Sequence, residues 1–406
     1  MTLKKLQNRL SEDLTTLNKS GGAKGKELVI TDVKPAIGDS GPRYFVEGYE
    51  HSFIKMNSNS YLGLSFNEEM LKEEEKYSKK LGIGPGAVRF ISGTYKIHTD
   101  LEERLAKFHD RESGMIFSSA YVTSMGVIAP LVTKETIIIS DELNHNCIIN
   151  AMKLSKPAGK AIYKHNSLSS LIEKLEESKG KATRVLVVTD GIFSMRGDDA
   201  PLKEIVDICK EFDKFFTEGV ITIVDDSHGV GAIGKTGRGT EEYNDTKVDI
   251  LIGTLGKAFG VNGGYVVTSK VITDYLRETA PMYIYSNPIT SGEAAAVIKA
   301  IDILDSKEGL VRLKHLGEMT KKFESGLISL GYETIKGDHP VVPLMVRDTQ
   351  KTTELVNFLT EKGVLATGLN YPVVPKGSEE IRFQISAEHT ESDIDTVLKY
   401  LKQYQK

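Results

Sequence analysis

Between about residues 110 and 270, short apolar runs alternate with helical patterns, and this alternation limits the fold more than any other feature of the chain. Strand-length runs fall at 114–117, 136–139, 184–189, 220–224, 250–253 and 264–268. Helical periodicity lies between several of them, as at 168–177 and 202–214. Strands that are apolar along their whole length are buried on both faces. Strands alternating with helices therefore predict an α/β fold, a mostly parallel sheet between helices. Such sheets bind ligands beyond the carboxyl ends of their strands.

Polar residues gather at those ends. The run before Gly253-Thr-Leu-Gly-Lys257 closes in a glycine-rich turn carrying one cation, Lys257. A desolvated lysine loses its proton more easily and becomes a nucleophile able to form a Schiff base. The run 221–224 ends in Asp225, Asp226, Ser227 and His228. Neighbouring residues on a strand point to opposite faces, so only one of the two acids should face a ligand. A Schiff-base lysine beside a carboxylate suits pyridoxal 5'-phosphate (PLP), which needs an acidic partner for its pyridinium nitrogen. His145 follows another strand. The stretch from Ser119 to Ser124 could hold a phosphate with backbone N–H groups and hydroxyls. Arg382, inside an apolar strand pattern, could clamp a substrate carboxylate.

Two glycine motifs mislead. Gly229-Val-Gly-Ala-Ile-Gly-Lys235-Thr236 matches the phosphate-loop pattern, but Gly-Arg-Gly-Thr follows where a helix should begin. Gly82-Ile-Gly-Pro-Gly is preceded by a charged helical segment rather than a strand, so it is not a dinucleotide fingerprint.

The 406 residues exceed one small core and predict more than one domain. The expected divisions are an N-terminal helix and arm over 1–45, a large PLP-binding domain over 46–288 and a small α+β domain over 289–406. Leucines at 3, 6, 10, 14 and 17 give one helical stripe, expected to dock on the body or on a partner subunit. Residues 20–25 read as a flexible break. Net charge is −4 with no basic block, which argues against nucleic acid as a partner. No apolar run reaches the length of a membrane span. Cys147 and Cys209 are too few for a disulfide framework or a zinc cluster, so no metal is expected. With Glu12 and Asp13 against a transit peptide, the expected location is cytoplasmic.

Together these segments resemble the α-oxoamine synthases, fold-type-I PLP enzymes that condense an amino acid with an acyl-CoA. The resemblance runs from about Tyr44 to the C-terminus. It is carried by Ser58-Asn-Ser-Tyr-Leu-Gly-Leu64, Arg89-Phe-Ile-Ser-Gly-Thr94, Asp141-Glu-Leu-Asn-His145, Thr189-Asp-Gly-Ile-Phe-Ser194, Asp225-Asp-Ser-His228, Gly253-Thr-Leu-Gly-Lys257 and Tyr285-Ser-Asn287. With Tyr371-Pro-Val-Val-Pro-Lys-Gly377 and the stretch around Arg382, it is nearest the glycine C-acetyltransferase branch, which joins glycine to acetyl-CoA. Sibling branches using another acyl-CoA or amino acid are the alternative: 8-amino-7-oxononanoate synthases, soluble serine palmitoyltransferases and 5-aminolevulinate synthases. Aminotransferases often place Tyr where this chain has His228. Non-catalytic partner subunits lose the lysine that this chain keeps.

The resemblance implies that PLP is covalent on Lys257, which also moves the Cα proton. Asp225 would sit on the pyridine nitrogen and His145 over the ring. Ser194 and His228 would lie near the ring hydroxyl, and Ala120, Tyr121 and Thr254 would hold the phosphate. Ser286 and Asn287 would reach the phosphate of the other subunit, implying a homodimer with shared sites. Arg382, Ser60 and Arg89 would contact the amino acid and acyl-CoA. The chain departs from the family pattern at Ser60, Ala120, Ser124 and Arg196, and its connection near 215–219 is longer.

Overall fold

The computed structural model describes residues 3–19, 23, 25–371 and 373–405. The break at 20–25 lies mostly outside them. In chain order the elements begin with α1 (Leu3–Lys19), β1 (Ile30–Lys34), β2 (Arg43–Val46), β3 (Ser52–Lys55), α2 (Glu68–Leu81) and α3 (Lys96–Phe108). There follow β4 (Ser113–Phe117), α4 (Ala120–Ile128), β5 (Thr136–Asp141), α5 (Asn146–Leu154), β6 (Gly159–Tyr163), α6 (Leu168–Ser178) and β7 (Arg184–Asp190). Next come α7 (Leu202–Asp213), β8 (Val220–Asp225), α8 (Thr240–Tyr243), β9 (Ile250–Thr254), β10 (Gly264–Thr268), α9 (Lys270–Thr279), α10 (Pro281–Ile284) and α11 (Ser291–Leu304). The chain closes with α12 (Lys307–Ser329), β11 (Glu333–Thr334), β12 (Val341–Met345), α13 (Thr349–Glu361), β13 (Val364–Leu365), β14 (Thr367–Leu369), β15 (Glu380–Gln384) and α14 (Glu391–Tyr404).

Two compact units result: residues 59–317, and the stretch up to 58 joined with 318 onward. The first holds a seven-stranded sheet in the order β4-β10-β9-β8-β7-β5-β6. Its strands from β5 to β9 run parallel, while β10 is antiparallel to both β9 and β4. The expected α/β architecture is therefore present. Every residue of β5, β9 and β10 is buried, as their unbroken apolar runs require. Ile138, Leu186, Val188, Ile223, Ile250 and Ile252 form the core beneath the site. The alternating pattern of β6 was not read as a strand, because it is a sheet edge with partly exposed residues.

The strand order reverses between β5 and β7. From β5 the chain steps outward to the edge strand β6, then returns past β5 to β7 and continues through β8 and β9. Loops at such a reversal diverge to opposite sides and open a crevice at the strand ends.

In the other unit, β11, β12, β15 and β14 form an antiparallel sheet. The expected divisions at 45/46 and 288/289 fall elsewhere, for two reasons. The N-terminal arm is tied to the C-terminal segment: β3 pairs in parallel with β13, and Asp393 of α14 bonds Arg43 at 2.5 Å and the Gly41 N–H at 2.9 Å. Meanwhile α11 packs against α2 and α3 in the large unit. The leucine stripe of α1 forms as the spacing predicts but does not dock on the body, since no residue of that helix is buried. Among the described residues, no helix is long and apolar enough to cross a membrane.

Candidate active site

A cavity of about 260 Å³ opens at the carboxyl ends of the central strands. Its walls come from the N-termini of α4 (Ala120, Tyr121) and α5 (His145, Cys147) and the turns after β7 (Asp190, Ile192, Ser194), β8 (Asp225, Ser227, His228) and β9 (Thr254, Lys257). Residues from five separate segments thus meet because each ends or follows a strand of one sheet.

Asp225 closes β8 and is held from three sides. Oδ1 accepts the Ser227 N–H at 3.1 Å, while Oδ2 accepts the Ser124 hydroxyl at 2.8 Å and the Cys147 thiol at 3.5 Å. Ser124, one of the departures from the family pattern, thus serves the carboxylate. Asp226 turns the other way, as strand alternation requires, and is fully buried with Oδ2 accepting the Thr240 N–H at 2.8 Å. Burial holds its carboxyl well above the usual carboxylate range.

His145 caps α5, its Nδ1 accepting the Cys147 N–H at 3.3 Å. That bond leaves the ring proton on Nε2. Burial, chiefly, lowers its pKa, so the imidazole is neutral near pH 7. Its backbone N–H donates to Asp190 Oδ2 at 2.8 Å, and the Asp190 N–H in turn donates to Asn144 Oδ1 at 2.8 Å. Asp190 lies opposite Asp225 in the β7–β8 ladder. Burial and the neighbouring Asp225 charge push the Asp190 carboxyl well above the usual range. His228 Nδ1 is 2.7 Å from the hydroxyl of Tyr61, a fully buried residue.

Lys257 stands on the loop joining β9 to β10. The loop is closed by Leu255 N–H to Gly263 O at 3.0 Å and Gly260 N–H to Lys257 O at 3.0 Å, with Gly260 at φ +70°. A Cβ there would sit 2.9 Å from Ser65 N, so both backbone conformation and space call for glycine. Ser119 caps α4 by accepting the Val122 N–H at 3.3 Å, which leaves earlier N–H groups of that helix for an anion.

The phosphate-loop lookalike is filled from within. Glu242 accepts the Thr236 N–H at 3.0 Å, the Thr236 hydroxyl at 2.8 Å and the Arg238 N–H at 3.1 Å. A carboxylate already occupies the donors a phosphate would need.

The profile of the family described as aminotransferase class I and II matches residues 51–401. The chain belongs to that family, in its α-oxoamine synthase branch. It is 41% identical over 349 residues to an 8-amino-7-oxononanoate synthase of Thermosipho melanesiensis, covering 85% of this chain and 86% of that protein. It is 37% identical to the mitochondrial 2-amino-3-ketobutyrate coenzyme A ligase of Bos taurus, covering 97% of this chain and 90% of that one. Among solved structures, a serine palmitoyltransferase with PLP superposes at a TM-score of 0.87 with 25% identity, covering 99% of this chain and 97% of that one. The enzyme is PLP-dependent.

The cavity residues fit that cofactor. The Lys257 amine suits its aldehyde, the Asp225 carboxylate its pyridine nitrogen, and the α4 N-terminus with the Thr254 hydroxyl its phosphate. A Cβ on Gly264 would sit 2.5 Å from both Ala120 Cα and Thr123 Oγ1, so β10 passes tightly beneath that helix end.

Of the other expected site residues in this unit, Ser60, Ser286 and Asn287 are not among those lining the cavity. Ser60 Oγ is 3.4 Å from Ser65 Oγ. Ser286 and Asn287 occupy the turn between α10 and α11. Arg382 sits mid-strand in β15 of the other unit, paired with Pro343 and Thr367. Arg89, expected to contact substrate, already has partners within the chain. It is buried, forms an ion pair with Glu102 at 3.1 and 3.2 Å, and donates Nε–H to Thr94 at 3.0 Å. Residues of the site that were missed include Asp190, Cys147 and Ile192 on the cavity wall and Tyr61 behind His228. Asp190 had a readable signal, since it ends an apolar strand in the same way as Asp225.

Proposed function

We propose that the enzyme acylates the Cα of alanine with a pimeloyl thioester, giving 8-amino-7-oxononanoate, CO2 and the free thiol. The reading is carried by one observation: an Asp225–Lys257 cavity in a chain whose relatives include several 8-amino-7-oxononanoate synthases at 37–41% identity. That product is a nine-carbon acid with a ketone at C7 and an amine at C8. Its last two carbons match alanine after loss of the carboxyl group, and its first seven match a dicarboxylic acyl chain. The expected pairing of glycine with acetyl-CoA, giving 2-amino-3-oxobutanoate, stands as a second reading, supported by the Bos taurus relative.

PLP supplies, when bound, an electron sink for negative charge at the amino-acid Cα. The chain's residues do the rest. Lys257 Nζ forms the covalent link and takes the Cα proton. Asp225, oriented by Ser124, Cys147 and Ser227, favours a protonated pyridine nitrogen. The neutral His145 ring covers the cofactor face without adding a competing charge. Ser194 and His228 serve the ring hydroxyl, and Ala120, Tyr121 and Thr254 the phosphate. Arg382 takes the amino-acid carboxylate, Ser60 contributes to substrate binding, and Ser286 and Asn287 complete the site of a second copy in a cytoplasmic homodimer.

Thiol release is the test. Purified enzyme is supplied with alanine, glycine or serine, each with pimeloyl-, acetyl-, succinyl- or palmitoyl-CoA. Turnover of alanine with pimeloyl-CoA well above all other pairs is the expected result. Preference for glycine with acetyl-CoA would replace it with the second reading.

A further inference from the structure

The crevice at the β5–β7 reversal is bounded by two segments that leave the sheet in different directions. One runs from Asp141 to His145, the other from Asp190 to Asp199. Close to the strand ends they are joined directly, by the His145 N–H to Asp190 Oδ2 and the Asp190 N–H to Asn144 Oδ1, each at 2.8 Å. Farther out, toward Asp198, a side chain from a third segment also spans the gap. His165, on the turn between β6 and α6, has Nδ1 3.1 Å from Asp141 Oδ1 and Nε2 3.1 Å from Asp198 Oδ2. Its side chain is 15% exposed.

We propose that His165 is a positioning residue whose imidazolium ties Asp141 to Asp198 and so holds together the segments that deliver His145 and Ser194 to the cofactor cavity. The proposal rests on the reading of that cavity given above.

The geometry requires the charged form. Both ring nitrogens face carboxylate oxygens, which only accept hydrogen bonds. A neutral imidazole would leave one lone pair against an oxygen, whereas an imidazolium donates to both. Each of the two acidic residues is tied to its own segment, Asp141 through its carboxylate and Asp198 through its backbone carbonyl. Asp141 Oδ1 also accepts the Leu143 N–H at 2.8 Å, shaping the turn that ends at His145. Asp198 O accepts the Phe193 N–H at 3.0 Å, closing the loop that carries Ser194. Phe193 meets the His165 ring edge-on with centroids 4.3 Å apart.

The adjoining residue makes the same span. Asn166 donates its N–H to Asp141 Oδ2 at 3.0 Å and its side-chain amide to Asp199 O at 3.0 Å. It does so at φ +53°, a left-handed conformation that asparagine tolerates better than most residues. Two consecutive residues therefore bridge the same two segments.

The charged groups around the ring are Asp141 and Glu142 on one side, Asp198 and Arg196 on the other. Glu142 accepts the His165 N–H at 2.8 Å, and Arg196 Nε shares Asp198 Oδ2 at 2.7 Å. The buried Tyr163 phenol also lies within the field of Asp141. Burial alone would lower the His165 pKa, but the hydrogen bonds and charges of Asp141 and Asp198 outweigh it and raise it to about 9. The bridge is thus complete at neutral pH and opens as pH rises through about 9.

The test follows loss of PLP from full-length holoenzyme to a scavenging apo-protein, in wild type, His165→Gln and Asp198→Asn, from pH 7 to 10. Asp198→Asn keeps the loop's shape and removes one carboxylate charge, which guards against a folding failure of the first variant. Both variants should lose PLP about tenfold faster at pH 7. Wild-type loss should accelerate through about pH 9; His165→Gln should lack that step, and Asp198→Asn, which keeps only the Asp141 partner, should show it at lower pH. Amide exchange at 141–145 and 191–199 should quicken together in both. A purely structural role would lower the melting temperature without abolishing the pH step. Equal PLP retention at pH 7, a step that persists in His165→Gln, or an unshifted step in Asp198→Asn, overturns the proposal. Wild-type protein that takes up no PLP would instead overturn the reading of the cavity itself.

Discussion

Asp190 gives the sharpest test of how the site is held. Its Oδ2 accepts the backbone N–H of His145 at 2.8 Å, and it is 5% exposed. In Asp190→Ala that part-buried N–H loses its acceptor, which costs about 1–3 kcal/mol. Asp190→Asn keeps a carbonyl oxygen at the same position. Because burial and Asp225 push the Asp190 carboxyl well above the usual carboxylate range, a neutral amide at that position gives up little and should cost under about 1 kcal/mol. The pH dependence has a definite sign. A carboxyl whose folded pKa is raised binds its proton more tightly in the native state, so stability falls as pH rises from its ordinary value, 3.8, toward the folded one. Asp190→Asn removes that loss and should gain on wild type as pH rises above about 4. Chemical denaturation of PLP-free protein from pH 4 to 8, with PLP affinity measured alongside, reads both effects. If the Asn and Ala variants were equally damaged, or if the Asn variant fell behind as pH rose, a charged Asp190 would be indicated and the reasoning refuted.

Three further outcomes are expected. Gly264→Ala should drive β10 against the first turn of α4, where a Cβ meets backbone, and overpacking of about 1–3 kcal/mol there should weaken PLP binding about tenfold in a fluorescence titration. Arg89→Ala should destabilise the protein by about 3 kcal/mol in urea unfolding, because the buried Glu102 keeps only Arg277 at 2.9 Å and the Ile116 N–H at 3.1 Å; the amino-acid KM of the folded variant should stay unchanged, and a large rise would restore Arg89 to substrate binding. Lys257→Ala should bind PLP without a covalent link: after borohydride treatment the reduced cofactor should separate from the variant on denaturing gel filtration, whereas wild type should retain it on the protein.

The parallel sheet was legible because its central strands are buried on both faces and must be apolar throughout. Lys257 and Asp225 were legible because a charge at the end of such a strand needs a reason. The same logic applied to Thr189-Asp190 would have found Asp190, which sits beside Asp225 in register. Other features carry no local signal. β6 is a five-residue edge strand whose Lys160 and Ile162 are exposed, and β13 spans two residues whose pairing with β3 depends on a segment more than 300 positions away. The grouping of the N-terminal arm with the C-terminal segment rests on that pairing and on Arg43–Asp393, contacts that periodicity does not reveal. Tyr61 reads as an ordinary core aromatic until the fold brings His228 to its hydroxyl.

The glycines after Asp226 show how one requirement can imitate another. Phosphate loops need glycine so that backbone N–H groups can close around an anion. Here the anions belong to the protein. The Thr236 and Arg238 N–H groups close around Glu242, and Cβ atoms at Gly229 and Gly239 would collide with the buried Asp226 carboxyl. Asp226 also accepts the Gly229 and Val230 N–H groups through its backbone carbonyl, each at 3.0 Å, which sets the turn that carries His228. The two adjacent acids thus divide the work of β8's end. Asp225 faces the cavity, held by Ser124, Cys147 and Ser227, while Asp226 faces inward and anchors the turn. Because they project to opposite faces, exchanging their roles would require a one-residue slip of β8. That slip would also turn Ile223 away from the core cluster in which it packs, so the packing beneath the site is what decides which acid faces the cavity.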